Sequence, residues 1–248
     1  MPTSPRAIIF DLGGTLVAWP DWDDDAPRRW MLSYDYLREM YPGRPWPDQQ
    51  TYVTAMRAAE LAHWQRVEID QWSGPPSSVL LDGFRRLDRS IDDAELMAAL
   101  DGYALAVDGW AVAVPGAVAT LEELSARGYR IGLLSNTWWA ATWHNRDLAV
   151  HGLAGLFDDI VYTSDLPHSK PHPFVFREVA KRLDVEPSAC VMVGDQMVAD
   201  ISGALAVGMR AVWIANEGRF SRASGVTPSA TIQALPDLLS QLSFWGGT

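Results

Sequence analysis

Five short apolar runs, each halted by a small or acidic residue, constrain this chain more than any other feature. They are Ala7-Ile8-Ile9-Phe10 before Asp11, YRIGLLS ending at Ser135, IVYTS ending at Ser164, ACVMVG ending at Gly194 and RAVWIA ending at Ala215. Their length and β-branched content suit strands buried on both faces. Between them lie helical patterns over Gly116–Arg127, Trp138–Val150, Pro173–Leu183 and Val198–Val207. Strand and helix alternating in this way predict an α/β fold with a doubly wound parallel sheet, Rossmann-like, covered by helices on both sides. In such sheets function gathers in the crevice at the carboxyl ends of the strands.

The interval from Trp19 to Ala111 has no comparable strand run. It shows helical periodicity over Arg28–Met40, Asp48–Gln71, Ser77–Asp88 and Asp92–Val107, interrupted by Pro42-Gly43, Pro45, Pro47 and Gly74-Pro75-Pro76. Asp48, Ser77 and Asp92 stand where helix N-caps are expected. The expected division is a core made of residues 1–17 and 112–248, with a helical cap of residues 18–111 inserted after the first strand. A length of 248 residues, between one and two domains at about 150 each, agrees. The acidic run Asp21-Trp22-Asp23-Asp24-Asp25 reads as a solvated loop at a helix N-terminus.

A net charge of −11 argues against a broad nucleic-acid face. A single cysteine, Cys190, excludes an internal disulfide framework or a cysteine-rich zinc module. The apolar run before Asp11 is too short for a signal-peptide core, and no stretch approaches the roughly 20 apolar residues of a membrane span. The expectation is a soluble, cytoplasmic protein with neither a nucleic-acid nor a membrane partner.

Four strand ends carry the chemistry. Asp11, followed after Leu12 by Gly13, Gly14 and Thr15, places a carboxylate beside open backbone amides, fit for a nucleophile or a cation ligand. Ser135-Asn136-Thr137 places a hydroxyl and an amide at the same edge. Lys170 precedes a proline-started helix, and Asp195 and Asp200 stand five residues apart around a helix N-terminus. Oxygen ligands suit a hard cation such as Mg2+, and a point-charge lysine suits the phosphoryl group of a small phosphorylated substrate. Arginine takes 18 of the 20 basic positions, so a lysine at 170 stands out.

With these four motifs in order, the chain resembles the haloacid dehalogenase superfamily, and within it the branch whose helical cap follows the first motif. The resemblance implies a phosphatase acting through an aspartyl-phosphate on Asp11. It implies that Ser135 and the Asn136 backbone hold the phosphoryl oxygens, with Gly13, Gly14 and Thr15 in the loop around them, and that Lys170 neutralises charge. It further implies that Asp11, the Gly13 carbonyl and Asp195 ligate magnesium, with Asp200 holding a metal-bound water or orienting Lys170.

One position departs from the family pattern. Its phosphatases usually carry a second aspartate two residues after the nucleophile, as general acid and base; here that residue is Gly13. The loss is of help typically worth 10²–10⁴ in rate, which points to phosphates with good leaving groups. Two alternatives stand beside the phosphatase. One is a 2-haloacid-type dehalogenase, since halide leaves without a proton; the other is a catalytically weakened binding or regulatory protein. Of the 12 tryptophans, Trp19, Trp22, Trp138 and Trp139 fall near the crevice mouth, where they are expected to line a pocket for the substrate's apolar part. Arg28-Arg29 and Arg85-Arg86 are expected on exposed helix faces, and Cys190 as a buried inert thiol.

Overall fold

The computed structural model describes residues 4–215 and 225–246. In chain order it contains β1 (Ala7–Phe10), β2 (Val17–Ala18), α1 (Trp22–Met40), α2 (Gln49–Asp70), α3 (Pro76–Arg86), α4 (Asp93–Val107), β3 (Val112–Ala113) and α5 (Ala117–Ala126). There follow β4 (Arg130–Ser135), α6 (Ala141–Val150), β5 (Asp159–Tyr162), α7 (Pro173–Arg182) and β6 (Cys190–Gly194). The last elements are α8 (Gly203–Ala206), β7 (Arg210–Ile214), β8 (Ala230–Ile232) and α9 (Asp237–Phe244).

The main sheet has six parallel strands in the order β5-β4-β1-β6-β7-β8. Side chains alternate across it, as the period of two requires. Ile8, Phe10, Ile131, Leu133, Val191 and Val193 enter one apolar cluster with α5 and α9. Ala7, Ile9, Leu134 and Met192 enter the opposite one with α7. Both faces are thus buried, which is why the strands read as near-continuous apolar runs. In β1, Phe10 pairs with Leu133 on one side and Val193 on the other. That register brings the chain just beyond Phe10, Ser135 and Gly194 to one edge.

Helices α1 to α4, inserted between β2 and β3, pack together in the place expected of the cap. Their shared cluster gathers Trp30, Tyr34, Tyr52, Met56, Phe84 and Tyr103, together with Trp138 and Trp139 from the core. Asp48 caps α2 by accepting the Thr51 N–H at 3.0 Å. Asp92 and Glu95 form a reciprocal capping box at α4. The two strand passages between core and cap pair with each other, Val17 with Ala113 and Ala18 with Val112, in an antiparallel ribbon.

Several boundaries differ from the sequence reading. Trp22 and the acidic residues 23–25 are the first turn of α1 rather than a loop, and Asp25 ion-pairs with Arg28 at 2.5 Å. At α3 the cap is Pro75, with Pro76 starting the helix, not Ser77. The third expected run, β5, stops at Tyr162 because Thr163–Asp165 curl into a short 3-10 turn. Trp138 and Trp139 precede α6, and Met197–Ser202 wind as a π-helix before α8. The two-residue strands β2 and β3, and β8 with α9, are too short or too mixed in pattern to announce themselves.

Candidate active site

The carboxyl edge of the sheet gathers a buried charge cluster. Lys170 Nζ donates to Asp11 Oδ1 and to Asp200 Oδ1, each at 2.6 Å. Asp200 Oδ2 accepts the Gln196 N–H at 2.9 Å, so both of its oxygens are engaged. Asp195 lies beside them. One ligand atom from each of Asp11, Asp195 and Asp200 falls within 4.8 Å of the others. Neither oxygen of Asp195 accepts a hydrogen bond from another residue among those described, although the side chain is buried. The indole N–H of Trp213 donates to the Asp195 carbonyl at 2.9 Å and fixes its main chain.

Glycine at two positions is required by crowding. A β-carbon on Gly14, whose φ is +83°, would stand 2.3 Å from Asp195 Oδ2. One on Gly194 would stand 2.3 Å from Asp200 Oδ2. The glycines let two carboxylates press against main chain. Gly14 N–H is bonded to the Val17 carbonyl at 2.8 Å, so that amide is not the open donor expected from the sequence. Thr15 Oγ1 is buried with no hydrogen-bonding partner among the described residues.

Burial raises the Asp11 carboxyl to about 6, against the pull of the Lys170 ammonium, with Asp200 adding repulsion. Burial also raises Asp195, to about 8, helped by the nearby Asp11 and Asp200 carboxylates. For Lys170 burial acts downward, but its two carboxylate partners outweigh it and hold the ammonium charged. Three carboxyl groups share one lysine, and Asp195, the one without an ammonium partner, keeps its proton up to about 8.

The Asn136 side chain has a task besides the backbone role expected of this residue. Its side-chain Nδ2 donates to the Lys170 carbonyl at 3.0 Å, and its Oδ1 accepts the Lys170 N–H at 2.8 Å. A carboxamide is the side chain that offers a donor and an acceptor side by side for such a main-chain clamp. Ser135 sits at the end of β4, adjacent in sequence to this clamp. Nothing in the spacing of the motifs signals that Asn136 reaches the lysine's backbone.

The tryptophans are also redistributed. Trp138 and Trp139 are 0% and 2% exposed, packed into the cap cluster, and do not face the crevice as solvent-lining residues. Trp138 stacks on Trp30 at 5.8 Å, and Trp139 lies against Trp19 at 5.5 Å and Trp22 at 5.4 Å. Trp19 is the one beside the loop that follows Asp11, its Cζ3 standing 3.0 Å from the point a β-carbon on Gly13 would occupy. Arg29, expected on an exposed face, is fully buried. Its guanidinium lies 4.4 Å over Trp22 and 5.1 Å over Trp110, and its Nε donates to Tyr103 Oη at 3.0 Å. Cys190 is buried as expected, its thiol pushed up to about 12.

The sequence profile of haloacid dehalogenase-like hydrolases matches residues 5–208. The chain belongs to that family. Among its relatives is the ribulose-1,5-bisphosphate 5-phosphatase of Halopiger xanaduensis, 30% identical over 83% of each chain. The glyceraldehyde 3-phosphate phosphatase of Methanothermobacter thermautotrophicus is 30% identical over 52% of this chain and 56% of its own. The chain thus spans about half the length of that relative. Among solved structures, a 2-haloacid dehalogenase from Pseudomonas syringae pv. Tomato superposes with a TM-score of 0.71 at 26% identity, covering 97% of this chain and 99% of the other. A haloacid dehalogenase-family phosphatase from Thermococcus onnurineus gives 0.64 at 27% identity over 98% of both. Among the described residues no helix is long and apolar enough to cross a membrane.

Proposed function

We propose that this haloacid dehalogenase-like hydrolase is a magnesium-dependent phosphatase of small phosphate monoesters, acting through a phospho-aspartate on Asp11. The observation that carries the reading is the pairing of Lys170 with Asp11 and Asp200 beside an Asp195 whose oxygens lack hydrogen-bond partners among the described residues. A buried, unpaired carboxylate held at about 8 fits a divalent cation, which would supply the missing positive charge. Asp11 and Asp195 would hold the magnesium with the Gly13 carbonyl. Asp200, with one oxygen on Lys170 and the other on Gln196 N–H, acts chiefly by aiming the lysine. Bound magnesium would neutralise the charge on the phosphoryl oxygens and screen the carboxylates from one another.

The chain's own residues perform the rest. Asp11, largely ionised at neutral pH, forms a bond to phosphorus while the bond to the leaving oxygen breaks and that oxygen keeps the electron pair. Lys170 and Ser135 hold the phosphoryl oxygens with the main-chain amide of Asn136 beside them, while the Gly14 and Thr15 amides are taken by the Val17 and Leu12 carbonyls. Water then attacks phosphorus in the aspartyl-phosphate, returning Asp11 and releasing phosphate. Gly13 has no side chain to protonate the leaving oxygen, so substrates with good leaving groups are favoured. Trp19 and, behind it, Trp22 and Trp139 offer an aromatic wall to the apolar part of such a substrate. Residues 18–111 serve as a cap that closes over the crevice, with the core formed by 1–17 and 112–248.

The dehalogenase alternative draws on the likeness to the Pseudomonas enzyme and on the missing acid at Gly13. The buried, partnerless Asp195 speaks against it, because departure of halide gives such a carboxylate no task. The deciding experiment is a series of phosphate esters graded by leaving-group pKa, assayed with and without magnesium, beside Asp11→Asn. Magnesium-dependent turnover that Asp11→Asn abolishes is expected. Turnover of no phosphate ester at all would remove the phosphatase reading.

A further inference from the structure

The cap is joined to the core at more than its two connecting strands. The turn between α2 and α3 reaches down to the loop that carries Lys170 and binds it with four hydrogen bonds. Ser169 N–H donates to the Gln71 carbonyl at 2.9 Å, and Ser73 N–H donates to the Pro167 carbonyl at 3.3 Å. The Ser169 hydroxyl donates to the Trp72 carbonyl at 3.1 Å, and the Ser73 hydroxyl to the Thr163 carbonyl at 2.5 Å. Trp72 and His168 face each other as an antiparallel β-bridge in the middle of this contact. Both serines are buried.

We propose that Ser73 and Ser169 are positioning residues of a latch that couples closure of the cap to the placement of Lys170. The lysine backbone is then held from two sides: from the core by the Asn136 carboxamide, and from the cap through Ser169, the residue immediately before it. Ser73 extends the same contact to the end of β5, because Thr163 Oγ1 in turn accepts the Thr137 N–H at 3.1 Å, next to Asn136. A cap that lifts must break these bonds, and the loop that aims the ammonium at Asp11 loses its outer support. Closure would therefore do more than shut out water: it would complete the charge arrangement around the nucleophile. Main-chain bonds supply half of the latch, so its sequence signature is slight, two serines without a motif. The inference rests on the phosphatase reading of Lys170 only for its kinetic consequence.

The test compares Ser73→Ala/Ser169→Ala with the unaltered protein and with Ser73→Thr, which keeps the hydroxyl. On 4-nitrophenyl phosphate with magnesium, the double variant should lose tenfold or more in kcat with KM within about twofold, and Ser73→Thr should stay near the starting rate. A second measurement does not need turnover. The chain has two lysines, the buried Lys170 and the exposed Lys181. Their relative acetylation by acetic anhydride, read by mass spectrometry, should shift toward Lys170 in the double variant while its circular dichroism is unchanged. A rise in KM with kcat intact would mean that the turn only retains the cap, and would overturn the proposal, as would an unchanged acetylation ratio. If the unaltered protein hydrolyses no phosphate ester, the phosphatase reading fails by itself, and the acetylation ratio still decides the latch.

Discussion

Trp19 occupies the space that a side chain on Gly13 would need: its Cζ3 lies 3.0 Å from that residue's β-carbon position. The ring is pinned there by Trp22 at 5.8 Å, Trp139 at 5.5 Å and His144 at 5.9 Å. Glycine and tryptophan are thus a matched pair, and a side chain at 13 requires the Trp19 ring to give way. Gly13→Asp by itself should leave alkyl phosphate hydrolysis unimproved or lower. Gly13→Asp combined with Trp19→Ala should raise kcat/KM for a simple alkyl phosphate at least tenfold over Trp19→Ala, toward the 10²–10⁴ that positioned acid–base groups supply. Steady-state rates of the four proteins check it, and a double variant no better than Trp19→Ala rules out the account of the missing acid.

Asp195 should make the metal-free protein sensitive to alkali. Its carboxyl titrates at about 8 in the folded chain, against an unperturbed value near 3.9. A raised folded value means that the native state holds a proton the unfolded chain has released. The associated stability is therefore lost as pH rises toward and through 8. Between pH 6.5 and 8, melting temperature in chelator should fall for the unaltered protein and fall less for Asp195→Asn. Magnesium should restore it most at the alkaline end, where the carboxylate is ionised and free to bind. A flat difference between the two proteins across that range would contradict the assignment.

Removing the clamp on Lys170 should cost rate rather than fold. Asn136→Ala deletes two main-chain hydrogen bonds at 2.8 and 3.0 Å while leaving Lys170, Asp11 and Asp200 in place. Each such bond is worth about 1 kcal/mol, so kcat/KM should fall by roughly ten- to thirtyfold. Asn136→Asp, which keeps an acceptor but loses the donor, should fall between the two. Equal activity of all three would show that the loop holds itself.

Arg29 should matter for stability far from the chemistry. It is fully buried against the stacked pair Trp22 and Trp110, donates to Tyr103 Oη and to the Trp22 carbonyl, and faces the buried Glu60 through Tyr103. Arg29→Ala strands these groups, which typically costs about 3–5 kcal/mol and lowers Tm by roughly 10 °C in a chain of this size. Thermal denaturation reads it directly, and a loss below 2 °C would mean that the guanidinium is dispensable.

The core was legible because burial on both sides forces a pattern: β1, β4, β6 and β7 have few polar interior positions and stop where the sheet edge opens. Asp48 and Asp92 were legible as caps because a helix start demands a local acceptor. The tryptophans were not, since an indole after a strand end looks the same whether it faces a crevice or dives into a neighbouring helix bundle, as Trp138 does. Arg29 was misplaced for a related reason. A charged residue beside another in a helix ordinarily lies outside, and the partners that make its burial tolerable, Trp22, Tyr103 and Trp110, are scattered through the sequence. The Met197–Ser202 π-turn, which carries Asp200, has no pattern of its own. It shows only in how Asp200 turns back onto Gln196 and Lys170.

The Asn136 clamp has a consequence for judging variants of this chain. Two strand-end signatures that look independent on paper share one mechanical part, so damage to the first silences the second. A natural variant at 136 would present an intact nucleophile, lysine and acidic pair to motif-by-motif inspection and would pass as competent. Its lysine would be present, correctly spelled and badly aimed.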